Sequence, residues 1–543
     1  MEKIRYVTIV MMVSLLAVGC RVPDNSDRMI FRYNESAGIG TLDPAYAKDQ
    51  ALIWGCSQIY NGLIQLDTML RPMPSIAKEW SISEDGKTYT FRLRDDVYFH
   101  KSELFGTADS TRRVVAADVL YSYNRILDPK VASPGLWIFN EVAEDGFQAP
   151  DDSTFVIHLK QPFSPFLSLL AMPYCSVVPR EVVEHYGTDF RQHPCGTGPF
   201  KMQMWKEGVK LVLRKNENYF ERDEEGNPLP YLDAVAITFI VDKQTAFLEF
   251  VKGNLDFMNS IAPSYKDEIL TAKGGLREKY ADRITLTSTP FLNTEYLGFL
   301  MDGDDNPMKD KRIRQAINYG FDRRKMIKYM RNDVGRAGCQ GFIPYGLPGY
   351  DSTAQFGYDY NVEKAKQLLS EAGYPGGKGL PTLKLATTST YLDLCKYIQQ
   401  QLGILGLDVK VEVNPPAALR EQIAQSKSSW FRGSWIADYP DAENYLSLFY
   451  SPNHCPVGPN YTHFTSAKFD RLYERAKAEV DDSIRLRIYR EMDSLIMDEA
   501  PVMVLYYDQV LHFTQKNVSG LRSNAMNTLD LRRVKIDNSQ KKR

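Results

Sequence analysis

The stretch Gly196-Thr197-Gly198-Pro199-Phe200 decides how the chain is read. Two glycines around a threonine suggest a phosphate-cradling loop. Pro199 follows at once, no Lys-Ser/Thr pair is present, and a strand comes next where a phosphate loop would open a helix. The glycines are therefore expected to serve the backbone at tight turns. The strand beyond them is Val209-Lys210-Leu211-Val212-Leu213-Arg214. It alternates apolar and polar residues, as a half-buried strand does.

The same alternation recurs in Tyr89-Thr90-Phe91-Arg92-Leu93-Arg94 and in Phe155-Val156-Ile157-His158-Leu159-Lys160. His158 falls on the outward face of its strand. Helical spacing appears later. Ile313, Ala316, Ile317 and Phe321 share a face. Asn361 caps a helix ended by Gly373, and Ser466 caps another. A further helix covers 484–497 and stops near Pro501. Interleaved strands and helices point to α/β lobes.

The chain has 543 residues, 43% hydrophobic and 25% charged, with a formal net charge of -2. That length suggests about three domains. No linker or internal repeat separates them, so the chain is expected to cross between lobes more than once. No basic stripe marks a nucleic-acid surface. The start differs from the rest. Lys3 and Arg5 precede an apolar run to Val18, and Gly19 leads into Cys20. This is the pattern of a signal peptide over 1–19. A small residue before Cys20 resembles the bacterial lipobox, which implies acylation of Cys20 and a tether over 20–27. Two or more acyl chains hold a protein stably at a membrane. Six further cysteines remain: Cys56, Cys175, Cys195, Cys339, Cys395 and Cys455. They allow 15 pairings; Cys175 with Cys195 is the first expectation. No metal-binding spacing occurs.

A set of segments in fixed order then carries a resemblance. They are Gly40-Thr41-Leu42-Asp43-Pro44, the run from Trp80 to Phe91, Leu93 to His100, Gly196 to Phe200, Asn216-Glu217-Asn218-Tyr219-Phe220, Arg312 to Tyr319 and Glu371-Ala372-Gly373-Tyr374-Pro375. Together they resemble the family 5 extracytoplasmic solute-binding proteins, the oligopeptide- and dipeptide-binding class. The resemblance implies an α/β, two-lobed periplasmic-binding-protein-like fold (type II, cluster C) with an additional domain. It divides the chain into lobe I (28–64, 191–290 and 506–535), an additional domain (65–190) and lobe II (291–505). It implies a monomer that closes on its ligand by hinge motion. The captured solute passes to a membrane permease coupled to a separate ATPase.

Arg432-Gly433-Ser434-Trp435-Ile436-Ala437-Asp438-Tyr439-Pro440-Asp441 is the ligand-facing stretch of the resemblance. Asp438 stands where peptide-binding members place the carboxylate that pairs with a peptide α-amino group. Trp435 looks like the pocket wall, and Arg432 aligns with an Arg that receives a peptide carboxylate in some members. Lys48 and Gln50, and Asn259 and Ser260, fall in segments that resemble ligand-facing loops. Tyr46 and Trp54 read equally well as wall or core. The resemblance implies no cofactor and no catalysis. G-x-S-x-G, paired catalytic His and H-E-x-x-H are all missing from the sequence. Short peptides are the expected ligand. Nickel chelates, haem or oligosaccharides on the same fold stay open, as does a surface sensor or hydrolase.

Overall fold

The computed structural model describes residues 28–261 and 265–539. The expected signal peptide, Cys20 and the whole tether over 20–27 lie outside them. One mixed sheet of 11 strands runs through the molecule. Its order is Val409–Val413, Leu383–Thr387, Trp430–Ile436, Ile284–Phe299, Val502–Gln515, Phe257–Asn259, Ile30–Asn34, Ala234–Thr238, Lys210–Lys215 and Phe200–Lys206. Arg336–Ala337 adds a short pairing to Val502–Gln515. The two long central strands are antiparallel to each other. Their register shifts between Pro290 and Thr294. Parallel pairing joins Ile30–Asn34 to both Phe257–Asn259 and Ala234–Thr238, and Leu383–Thr387 to both Val409–Val413 and Trp430–Ile436. The alternating segments near 89 and 155 form neighbouring strands, Thr88–Leu93 and Thr154–Leu159, of a separate four-stranded antiparallel sheet.

The capped helices form for the local reasons expected. The Asn361 side chain accepts from the Lys364 N–H at the start of Val362–Glu371, and Gly373 follows at φ +91°. The Ser466 side chain accepts from the Phe469 N–H before Ala467–Ala478.

Gly196 and Gly198 are explained differently from the turn first expected. Neither has a positive φ. They lie against the end of the helix Gln50–Ile59, and a Cβ on Gly196 would meet the Ile59 carbonyl oxygen at 2.1 Å. Close backbone approach, not a turn, requires glycine here. His100 fastens the loop. Its N–H donates to the Gly196 carbonyl at 2.7 Å, and its Nε2 lies 3.0 Å from the Gly198 carbonyl. Burial lowers its pKa to about 4, so the ring is neutral and structural.

Apolar side chains gather into four clusters. One joins residues between Phe31 and Phe239 with Tyr439 and with Leu529, Leu531, Val534 and Ile536. Two lie mainly on opposite faces of the strands Ile284–Phe299 and Trp430–Ile436. The fourth packs Phe247, Phe250 and Leu255 on Phe513. Segments far apart in sequence also meet near residues 141–164 and 439–479. Lys477 Nζ lies 3.1 Å from Glu141 Oε1. The Ser164 N–H donates to the Lys477 carbonyl and its hydroxyl to the Glu479 carbonyl. Trp137 lies 6.0 Å from Tyr439, ring to ring.

The disulfide expectation is not met. All six described cysteines are free and buried. Cys175 directs its thiol to the Leu169 carbonyl and Cys195 to the His100 carbonyl, so each is engaged within its own surroundings.

Candidate functional site

Asp438 lies just beyond the strand Trp430–Ile436. It is exposed to solvent, yet protein atoms surround it closely enough that desolvation raises its pKa. Asp438 is thus reachable by solvent and partly desolvated at once. Its neighbours are fixed by one side chain that sequence reasoning missed. Asn444, in the helix Glu443–Leu446, is 4% exposed. Its Oδ1 accepts from Trp435 Nε1 at 2.9 Å and from the Asp438 N–H at 3.2 Å. Its Nδ2 donates to Asp438 Oδ2 at 3.4 Å. A buried amide thus sets the indole plane and the carboxylate together. Among the described residues no Lys, Arg or His lies within ion-pair distance of Asp438. The site therefore presents an uncompensated carboxylate beside an aromatic wall. Such a group suits a cation that brings its own hydrogen-bond donors.

Tyr174 feels the charges of both Asp438 and Asp49. Burial, then the charges of Asp438 and Asp49, push its hydroxyl up to about 12. Asp49 caps the helix Gln50–Ile59 through the Leu52 N–H at 3.2 Å. At the start of that helix Gln50 Oε1 accepts from Asn259 Nδ2 at 3.2 Å. Two of the sequence-proposed residues, 209 positions apart, therefore meet. Asn259 Oδ1 is buried without a hydrogen-bond partner among the described residues. Ser260 is exposed at φ +61°, its N–H bonded to the Leu511 carbonyl. Lys48 is exposed, and no ion pair is seen for it among the described residues. Tyr46 donates its hydroxyl to the Val131 carbonyl, and Trp54 donates Nε1 to the Asn527 carbonyl. Both serve packing.

Arg432 is three positions from Trp435, which on a strand places the two side chains on opposite faces. Its guanidinium is paired with Glu295 and lies over the Tyr391 ring, 3.4 Å from the centroid. Glu295 is 2% exposed, and burial raises its pKa although Arg432 opposes this. Nearby, Arg331 pairs with Asp508 at 2.6 Å and covers the Tyr506 ring. Any acid directed at Arg432 therefore meets a cation that already has an internal partner. Elsewhere, a cavity of about 460 Å³ is lined by Gln65, Glu221, Asp530 and Arg532 among others, and by none of the sequence-proposed ligand residues. Among the described residues no group of three or more His, Cys, Asp or Glu is placed to hold a metal ion.

Comparison with known proteins gives this geometry a class. The family model described as bacterial extracellular solute-binding proteins, family 5 middle, matches residues 71–455. The chain belongs to this family. It is a solute-binding protein of ABC importers, extracytoplasmic and not an enzyme. It is similar to the glutathione-binding protein GsiB of Salmonella typhi, with 27% identity over 490 residues, covering 88% of this chain and 89% of that one. It is also similar to di/tripeptide-binding protein 2 of Pseudomonas aeruginosa (strain UCBPP-PA14), with 26% identity over 483 residues and 86% of each chain covered. Among solved structures it resembles the ABC transporter-associated periplasmic binding protein DppA from Helicobacter pylori in complex with the peptide STSA. There the TM-score is 0.75 at 25% identity, over 94% of this chain and 98% of that one. The two-lobed periplasmic-binding-protein fold is thereby shown.

Proposed function

We propose that the protein captures short peptides with a free amino terminus and delivers them to an ABC importer, anchored to a bacterial membrane through acylated Cys20. The observation that carries the peptide reading is the carboxylate of Asp438. Among the described residues it has no cationic partner, it stands beside Trp435, and Asn444 sets both. A peptide ammonium would supply the missing charge. The relatives support the reading: one is named for di- and tripeptides, and another for glutathione, itself a tripeptide with a free α-amino group. Gln50, Lys48, Asn259 and Ser260 would face the peptide from the other side, where backbone pairing in the manner of an added strand tolerates varied sequences. Arg432 would meet a peptide carboxylate only in competition with Glu295. The lobes would be 28–64 with 191–290 and 506–535, and 291–505, beside the additional domain 65–190, in a monomer.

The test is a thermal melt with a mixed tri- to pentapeptide pool, followed by titration of Asp438→Ala. Ligand linkage predicts a raised Tm for the parent. Asp438→Ala is expected to weaken free-amine peptides much more than their N-acetylated forms. No shift with any peptide, or equal losses for both forms, overturns the reading. Detergent partitioning of Cys20→Ser tests the anchor: unchanged partitioning would refute it.

A further inference from the structure

Away from the residues that set Asp438, four separate segments bring a thiol, an imidazole, a carboxylate and a hydroxyl together. Cys455 Sγ lies 3.3 Å from His463 Nε2. His463 Nδ1 lies 3.3 Å from Asp302 Oδ2. Ser426 Oγ is 3.2 Å from the sulfur and 3.0 Å from Nε2. The His454 ring stacks on His463 at 4.7 Å with an interplanar angle of 6° and holds its plane. Ser426 and His463 both sit at positive φ, +55° and +53°. Such backbone is costly for side-chain-bearing residues and persists where the surroundings over-determine it. Among the described cysteines, Cys455 alone has an imidazole within hydrogen-bond reach.

We propose that Cys455, His463 and Asp302 form a thiol–imidazole–carboxylate relay, and that Cys455 is a disulfide-exchange site for low-molecular-weight disulfides. Asp302 takes the Gly303 N–H on Oδ1 at 2.7 Å, which leaves Oδ2 to accept from His463 Nδ1–H. That tautomer turns the Nε2 lone pair toward the sulfur. Two other acceptors compete for the thiol proton, the Ser426 hydroxyl at 3.2 Å and the Ile423 carbonyl at 3.7 Å. Once the proton passes from Sγ to Nε2, the new N–H has the thiolate and the Cys455 carbonyl, at 3.2 Å, as acceptors. The Ser426 hydroxyl can then donate to the thiolate. The thiolate attacks one sulfur of a disulfide RS–SR′. The Cys455 Sγ–S bond forms as the S–S bond breaks, and R′S⁻ leaves with the proton from His463 as R′SH. The disulfide is the oxidant: one of its halves is reduced to a thiol, and Cys455 becomes a mixed disulfide. The relay runs inward from the surface. Asp302 is 68% exposed at its side chain and His463 16%. Cys455 is 5% exposed and stands two residues before Val457, which is 89% exposed.

The reduced, folded full chain is treated with oxidised glutathione and followed by intact mass and peptide mapping. The expected result is one glutathionyl adduct, on Cys455, reversed by dithiothreitol. His463→Asn tolerates the positive φ but cannot take the proton, and is expected to slow the reaction at least about tenfold. Asp302→Asn should also slow it, while Asp302→Glu, which keeps a carboxylate, should recover most of the rate. Each variant must keep the parent Tm, so that the rates report the relay and not unfolding; a variant that melts early is replaced by His463→Gln under the same criterion. No adduct on the folded parent, an adduct on another cysteine, or parent-like rates in the His463 variants overturn the proposal.

Discussion

Asn444 makes Asp438 and Trp435 one unit. Because both depend on a single amide, Asn444→Ala should weaken free-amine peptides without touching them, by about tenfold if one to two hydrogen bonds of about 1 kcal/mol each are lost. Calorimetric titration against the parent checks this, and unchanged affinity would count against the unit. Acid should also weaken binding. The raised pKa of Asp438 means its carboxylate is protonated at a higher pH than an ordinary one, so affinity is expected to fall earlier on acidification than in a peptide-carboxylate pair at the surface. Asp493 predicts the opposite trend for stability. Burial raises its pKa to about 7, although the N–H groups of Phe342 and Ile343 oppose this. A carboxyl with a raised folded pKa contributes stability that is full below about pH 4 and is lost as pH rises through about 7. Asp493→Asn should flatten that decline in melts between pH 4 and 8. At this scale the nearness of Asp438 to Trp435 was legible because their spacing is local. Asn444 was not, because the chain must double back after Asp438 to bring it there. Nor was the Arg432–Glu295 pair, which only strand pairing between Leu297 and Arg432 creates.

Among the elements, alternation exposed the half-buried strands and caps exposed the helices, to within one or two residues for Thr88–Leu93, Val362–Glu371 and Ala467–Ala478. The longest strand, Ile284–Phe299, escaped. Its first half is largely exposed or half-buried and its second half is buried throughout, so no two-residue period spans it. The glycines of 196–198 were recognised as structural, but their reason lies in the helix they touch. Gly198→Ala would push a Cβ to 2.4 Å from the Ile59 carbonyl carbon. Overpacking of this kind costs about 1–3 kcal/mol. Urea unfolding should show the loss as a lower midpoint with an unchanged slope, and a parent-like midpoint would mean the loop can shift aside.

For the whole molecule, the ordered run of motifs was enough to place the chain in its family, since each segment occupies a fixed place in one fold. The contacts that join distant regions were not legible. Lys477 with Glu141, Ser164 with the 477–479 backbone, and Trp137 with Tyr439 are single touches between segments hundreds of positions apart. They bind the region around 141–164 to that around 439–479. If they hold the closed form, Lys477→Glu should lower peptide affinity several-fold and enlarge the radius of gyration seen by small-angle scattering with peptide bound. Equal radii for parent and variant would show that closure does not depend on them.

The first apolar cluster has a further consequence, for synthesis. It is built on Phe31 and Tyr33 but completed by Leu529, Leu531, Val534 and Ile536. The strand Ile30–Asn34 also lies inside the sheet, one short strand away from Val502–Gln515. A chain emerging amino end first therefore carries an unfinished core until nearly its last residues appear. Such long-range closure folds slowly. Any truncation short of residue 529 would leave the oldest part of the chain without its final wall.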